Sequence, residues 1–283
     1  MKKNKVGLVL EGGGLRGIFT AGALDYLMER GVKFDYVIGV SAGSCNTFQY
    51  LGNKKGFLKT CMLESEGKDS FFGVQQMVES HKIVDLDKVF DEYAEMYGFD
   101  YKKFMKNKTE WEMVVTNVKT GKAEYLSDRK DLERAKTISK ASCSLPIITS
   151  PKELDGKLYL DGGIADSIPV KRAQEMGCDK VVVICTRRKD KYPHMSDPEK
   201  AVVEQLYKKY PKLISTMYRR ENVYKKTKKY IDEQDKKGKV IQITPTLPEI
   251  GRLETDEEKL KLYYYHGYAK AEDNYKDIMK FFK

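Results

Sequence analysis

With 283 residues, 41% of them hydrophobic and 33% charged, the chain has enough apolar surface to bury a packed core, and its composition is not that of a disordered protein. The net charge of +10 suits nucleic acid, an anionic membrane surface or small acidic ligands equally, so it fixes only the sign of a partner. Five cysteines (Cys45, Cys61, Cys143, Cys178 and Cys185) show no CxxC spacing, which argues against a disulfide scaffold or zinc ribbon and for reduced thiols in the cytoplasm.

Met1 to Lys5 is basic, but the apolar run behind it is too short for the core of a secretion signal, and none is expected. No stretch approaches the roughly 20 apolar residues of a spanning helix. Any membrane contact should therefore be peripheral.

Val6 to Leu10 is a continuous apolar run closed by glycines, the pattern of a buried strand in a parallel sheet. A helix is expected from about Ile18 to Arg30, stopped by Gly31. Tyr36 to Val40 reads as a second buried strand leading directly into Ser41-Ala42-Gly43 and another helix. From Lys54 to Asn107 the pattern is helical and irregular, a helical insertion over the sheet. Trp111 to Thr116 and Ala123 to Leu126 read as paired strands across Thr120-Gly121, and Leu132 to Lys140 as a short helix. Leu158 to Leu160 and Val181 to Cys185 are further strands. Beyond Arg187 the spacing predicts long Lys- and Tyr-rich helices, Ala201 to Lys237 and Glu257 to Phe282, on either side of a strand from Val240 to Ile243. The expected organisation is one catalytic domain over 1–190 and a mainly helical extension over 191–283 packed on the same core.

Gly39-Val40-Ser41-Ala42-Gly43 is a G-x-S-x-G between a buried strand and a helix, the context in which a serine projects from a sharp turn as a nucleophile. The bland alternative is a tight turn with Ser41 capping its helix. Gly12-Gly13-Gly14-Leu15-Arg16-Gly17 also lies between strand and helix, and consecutive glycines expose backbone N–H groups to an anion or a developing oxyanion. The same residues satisfy G-x-G-x-x-G, but a dinucleotide site would need an acid at the end of the second strand, where Ser41 stands instead. A serine nucleophile needs a base, and the histidines His81, His194 and His266 all lie outside strand-end or glycine-rich contexts. Asp161, in Asp161-Gly162-Gly163, is a strand-end carboxylate and the better candidate, although an ordinary turn would also use these residues.

Together, Glu11 to Gly17 (EGGGLRG), Gly39 to Gly43 (GVSAG), Ala141 to Pro146 (ASCSLP) and Asp161 to Gly163 (DGG) resemble the ordered motifs of patatin-like phospholipases over about residues 6–175. The resemblance implies a three-layer α/β/α fold with a mostly parallel sheet. It implies a Ser41–Asp161 dyad working without histidine, an oxyanion loop at Gly12, Gly13 and Gly14, and Arg16 holding that loop or a lipid phosphate. It implies hydrolysis of lipid acyl esters with no metal or organic cofactor. Ser167 stands where relatives often carry asparagine. The rival functions are a lipid-binding or regulatory protein that has lost turnover, and a histidine-dependent esterase using His194 or His266. The basic pairs from Lys208-Lys209 to Lys236-Lys237, interleaved with tyrosines, fit either a solvated helical face or an anionic bilayer. No nucleic-acid-binding module is recognisable, and no such partner is expected.

Overall fold

The computed structural model describes residues 4–63 and 85–283. Its centre is an eight-stranded sheet made of β1 (Val6–Leu10), β2 (Tyr36–Val40), β3 (Glu110–Asn117), β4 (Ala123–Leu126), β5 (Lys152–Leu154), β6 (Lys157–Asp161), β7 (Lys180–Ile184) and β8 (Val240–Ile243). The run β3-β2-β1-β7-β8 is parallel throughout, as strands separated by crossover helices must be.

Side chains alternate across this sheet and make two apolar layers. Val6, Leu8 and Leu10 of β1 join Val37, Val182 and Ile184 on one face, and Val9 joins Ile38, Val40, Val181 and Val183 on the other. The first face is covered by α1 (Gly17–Glu29), α2 (Ala42–Leu51), α3 (Phe57–Leu63), α4 (Tyr93–Met96), α5 (Tyr101–Lys106) and α6 (Leu132–Ser142), with the C-terminal α10 (Glu257–Lys280) packed on α1. The second is covered by α7 (Val170–Glu175) and by α9 (Pro211–Lys236), which inserts Tyr224 and Ile231. This is the α/β/α arrangement expected. Of the helical insertion, Lys54 to Leu63 and Asp85 to Asn107 carry α3, α4 and α5, and the remainder lies outside the described residues.

The helix expected from Ala201 to Lys237 is in fact two. The α8 helix (Asp197–Leu206) ends before Tyr210, and α9 begins at Pro211, a proline at its first helical position, where the missing N–H is not needed. The expected interleaving of tyrosines with lysines also resolves by face, since Tyr207 and Tyr224 are buried while Lys208, Lys209, Lys225 and Lys226 are exposed.

The register of β3 sets up the site. β2 and β4 both pair with Met113 and Val114, so they flank β3; β4 and β6 both pair with Val115 and Thr116, so they flank it too. β6 therefore occupies the same edge of β3 as β2, just past the point where β2 stops at Val40. Asp161, opposite Val115, stands next in line after Val40, opposite Val114. A strand end and the turn after it are thus replaced, on the same edge, by an antiparallel strand ending in a carboxylate.

Asp25 on α1 is 2% exposed and ties α1 to three neighbours, accepting from Gln49 Nε2 (2.9 Å), Gly56 N–H (3.0 Å) and the Tyr264 hydroxyl (2.6 Å). Burial outweighs these donors and raises its pKa to about 6. The native state then holds a proton that the unfolded chain has released, so this group's contribution to stability falls as pH rises from about 4 to about 6. Relative to Asp25→Asn, which does not titrate, the wild type should lose about 2 kcal/mol between pH 4.5 and pH 7. Urea unfolding of both proteins at pH 4.5, 5.5 and 7 measures this, and parallel pH dependences would contradict it.

Candidate active site

Ser41 joins β2 to α2 with φ 53° and ψ −125°, a backbone conformation that is costly for a residue with a Cβ and persists only when its surroundings enforce it. Enforcement comes from both ends. A Cβ on Gly39 would lie 2.4 Å from the Gly43 carbonyl oxygen, so strand and helix approach too closely for any side chain there. A Cβ on Gly12 would lie 2.7 Å from the Ser41 Cβ, so the glycine loop runs against the serine itself. The Ser41 N–H donates to Ser142 Oγ (2.9 Å) at the end of α6.

The Asp161 N–H donates to the Ser144 carbonyl (2.7 Å), its own carbonyl accepts from Thr116 Oγ1 (2.8 Å), and its Oδ1 accepts from Gly163 N–H (2.7 Å). The segment Ala141 to Pro146 is therefore the bracket that holds both residues, Ser142 gripping one and Ser144 the other. Asp161 is 3% exposed, and its Oδ2 is buried without a well-formed hydrogen bond. Burial raises the carboxyl pKa, opposed first by the approach of the Ser41 hydroxyl and then by the charge of Arg220. That approach is looser than a well-formed hydrogen bond, as is common before a substrate is bound.

In the glycine loop, Glu11 N–H donates to Ile184 O and Leu15 N–H to Arg252 O, while the N–H groups of Gly12, Gly13 and Gly14 between them make no hydrogen bond among the described residues. Arg16 is buried, with Nε donating to Gly13 O (3.3 Å) and Nη1 paired with Glu249 (3.0 Å), so it holds the loop. Ser167 donates to Gly163 O (2.7 Å) and fixes the turn after Asp161.

Two cavities share Ser41, Gly14, Leu145 and Arg252. One, of about 70 Å³, is apolar, with Cys45, Leu58, Met62, Val89 and Ile148 in its wall, and it shares Leu86, Cys143, Ile148 and Thr149 with a hollow of about 260 Å³. The other, of about 30 Å³, is polar and adds Gly12, Gly13, Arg16, Asp161, Arg187 and Arg220. Glu11 is buried at its edge and accepts from Thr186 N–H (2.7 Å) and the Tyr224 hydroxyl (2.7 Å).

Neither described histidine lines these cavities. His194 is exposed beside Glu221 (3.3 Å), and His266 packs on Phe19 (5.5 Å between rings) and accepts the Thr246 N–H at Nε2 (3.0 Å). His81 lies outside the described residues. What the sequence reading missed is the arginines. Arg220 was grouped with Arg219 as a basic pair, yet Leu213, Met217, Tyr224, Lys228 and Ile231 are buried at three- and four-residue steps, and Arg220 falls on that inward stripe.

Fold and site together define an α/β protein with a serine elbow between an apolar and a cationic chamber. The patatin-like phospholipase model matches residues 8–173, and the chain belongs to that family, which places it among lipid hydrolases. A second model, a domain of unknown function (DUF6363), matches residues 210–283. The uncharacterized protein YjjU of Escherichia coli K12 is 27% identical over 266 residues, covering 86% of this chain and 69% of YjjU. Lysophospholipase NTE1 of Cryptococcus neoformans is 28% identical over 188 residues, covering 64% of this chain, which spans only 11% of that protein. NTE1 of Saccharomyces cerevisiae is 26% identical over 184 residues, with shares of 63% and 10%. Among solved structures, VipD from Legionella pneumophila aligns with 96% of this chain and 66% of its own at a TM-score of 0.48 and 15% identity.

Because Ser142 Oγ anchors the strained Ser41 amide, Ser142→Ala should slow covalent labelling of Ser41 by a fluorophosphonate by roughly 10- to 100-fold, the cost of a small misplacement of a reacting atom. Stopped-flow labelling gives the rate. An unchanged rate would mean that the glycine contacts alone fix the elbow.

Proposed function

We propose that the chain is a serine acyl-ester hydrolase acting on lipids, with Ser41 as nucleophile and Asp161 as proton acceptor. The observation that carries this reading is the strained Ser41, enclosed between an apolar cavity and a carboxylate that stands next in line on the same edge of β3. Residues 1–190 supply the dyad and loop, and 191–283 form an extension on the same core that completes the polar chamber.

An acyl chain lies in the apolar cavity, which brings its ester carbonyl to Ser41. Ser41 Oγ attacks the carbonyl carbon while Asp161 takes its proton, and the N–H groups of Gly12, Gly13 and Gly14 receive the oxyanion. Collapse of the tetrahedral intermediate expels the alcohol, which takes the proton from Asp161. Water, deprotonated by Asp161, then attacks the acyl-enzyme, and collapse of the second tetrahedral intermediate releases the fatty acid as Asp161 returns the proton to Ser41 Oγ. Every proton in the cycle passes through one carboxylate, and no histidine is used. Exposed lysines on α9 support peripheral contact with an anionic bilayer at the cytoplasmic face.

Ser41→Ala and Asp161→Asn should each lower hydrolysis of p-nitrophenyl acyl esters by roughly 10³-fold or more, as loss of a nucleophile or its base does. The double variant His194→Ala/His266→Ala should keep the wild-type rate; if it is dead, the esterase is histidine-dependent. If the wild type is inert on all esters, a binding protein is the better reading.

The acid side of the rate profile gives a second test. Only ionised Asp161 accepts a proton, so kcat/KM should rise with pH through a pKa above the ordinary carboxylate value, because burial raises it. The same limb should persist in the double histidine variant. A limb at the ordinary carboxylate pKa would argue against Asp161 as the base.

A further inference from the structure

Four arginines line the polar chamber, and they are not equivalent. Arg16 and Arg187 share one counter-ion, Glu249, at 3.0 and 3.4 Å. Arg220 and Arg252 form no salt bridge with any described residue. Arg220 Nε is buried without a hydrogen-bond partner, and a Cβ on Gly163 would lie 3.2 Å from its Nη2, so the guanidinium lies against the turn that carries Asp161. Burial disfavours the charge of both arginines, and Asp161 is the acid beside them that favours it in each case. Glu11, buried at the chamber's edge, also favours the charge of Arg220, and Glu199 that of Arg252; within the chamber and its ion pairs four guanidinium groups still face three carboxylates, Asp161, Glu11 and Glu249, so positive charge is in excess.

Such an arrangement is costly unless something arrives to balance it. The hydrolytic cycle does not explain it, because surplus positive charge beside Asp161 weakens the base. Guanidinium forks match the oxygens of phosphate, and a phosphate monoester brings close to two negative charges. A zwitterionic head group would carry a cation into the same chamber, and a chamber of about 30 Å³ takes only a compact group.

Resting on the hydrolase reading, we propose that the site selects acyl esters bearing a phosphate monoester near the scissile carbonyl, with Arg220 and Arg252 as the residues that bind it. Both lie outside the stretch 8–173 matched by the family model and inside 210–283. Selectivity is thereby supplied by the C-terminal region and chemistry by the rest.

The test compares kcat/KM for 1-oleoyl-lysophosphatidic acid and 1-oleoylglycerol, which share an acyl chain, in matched micelles. The wild type should favour the phosphorylated ester by roughly 10- to 100-fold, the worth of one charge-assisted contact. Arg252→Gln and Arg220→Gln should each collapse that ratio, and Arg219→Gln, on the exposed face, should leave it intact. Inorganic phosphate should compete with the neutral ester and acetate, a carboxylate without an acyl chain, should not; the reverse would assign the arginines to a carboxylate and overturn the proposal. Equal use of both esters by the wild type, or variants that slow both equally while moving the acid limb of the pH profile, would also overturn it, leaving the arginines as a means of keeping Asp161 ionised. Phosphate binding to Ser41→Ala, followed by ³¹P NMR with and without Arg220→Gln, reads the anion site separately from turnover. Binding lost with Arg220 supports the site even if no ester is hydrolysed, and no binding in either protein refutes it.

Discussion

The structure around the site depends on one backbone conformation, that of Ser41. A non-glycine residue at φ 53° and ψ −125° stores strain on the order of 1–3 kcal/mol, which must be offset by what surrounds it. Here a hydrogen bond donated by the Ser41 N–H to Ser142 Oγ fixes the amide, and glycines at 39 and 12 remove the side chains that would push the turn open. Because β2 must end where the turn begins, half an edge of β3 is vacated, and β6 fills it. The carboxylate therefore arrives beside the serine as a consequence of strand pairing.

Charge is organised around the same point. Glu11 ends β1 inside the protein, where a lone carboxylate would be unstable, and it is satisfied by the start of the chain after β7 and by Tyr224 of α9. Arg16 and Arg187 balance Glu249 in the segment after β8. The bonds of Glu11 and Arg16 join the glycine loop to elements that follow it by well over a hundred residues, and Arg187 braces the same Glu249. The first β-α turn is consequently held from outside, and the N–H groups of Gly12, Gly13 and Gly14 keep no hydrogen-bond partner among the described residues.

Much of this was legible in the sequence, for a physical reason. Buried parallel strands need unbroken apolar runs, so Val6 to Leu10 and Tyr36 to Val40 were identifiable, and a sharp turn between strand and helix needs small residues on both sides of Ser41. Less legible were features whose meaning is tertiary. Asp155 and Gly156, both at positive φ, form a two-residue turn that makes β5 a hairpin partner of β6; the Asp-Gly signal was present but β5 is only three residues long. Pro211 divides what reads in the sequence as one helix, because its ring and missing N–H cannot continue α8, while at the first position of α9 neither is a cost. Ser142 and Ser144 look alike in the sequence, and their division of labour depends on which neighbour each meets across the sheet.

The apolar and cationic chambers share Ser41, Gly14, Leu145 and Arg252. On the proposed function, a ligand places its acyl chain on one side of Ser41 and its polar end on the other, so both ends of an amphiphile bear on what reacts. Apart from Arg252 and Leu253, the residues lining the apolar cavity lie within the stretch that the family model covers, whereas three of the four guanidinium groups, those of Arg187, Arg220 and Arg252, come from beyond it. If Arg220 and Arg252 select the polar end as proposed, the side chains of α9 set what is accepted from outside the Ser41–Asp161 bracket, whereas the backbone that carries Arg252 also holds the glycine loop through the Leu15 N–H. On that proposal selectivity and chemistry sit on different parts of one fold, so an appended segment can change the polar end accepted while the strained turn at Ser41, held by Gly39, Gly12 and Ser142, stays as it is.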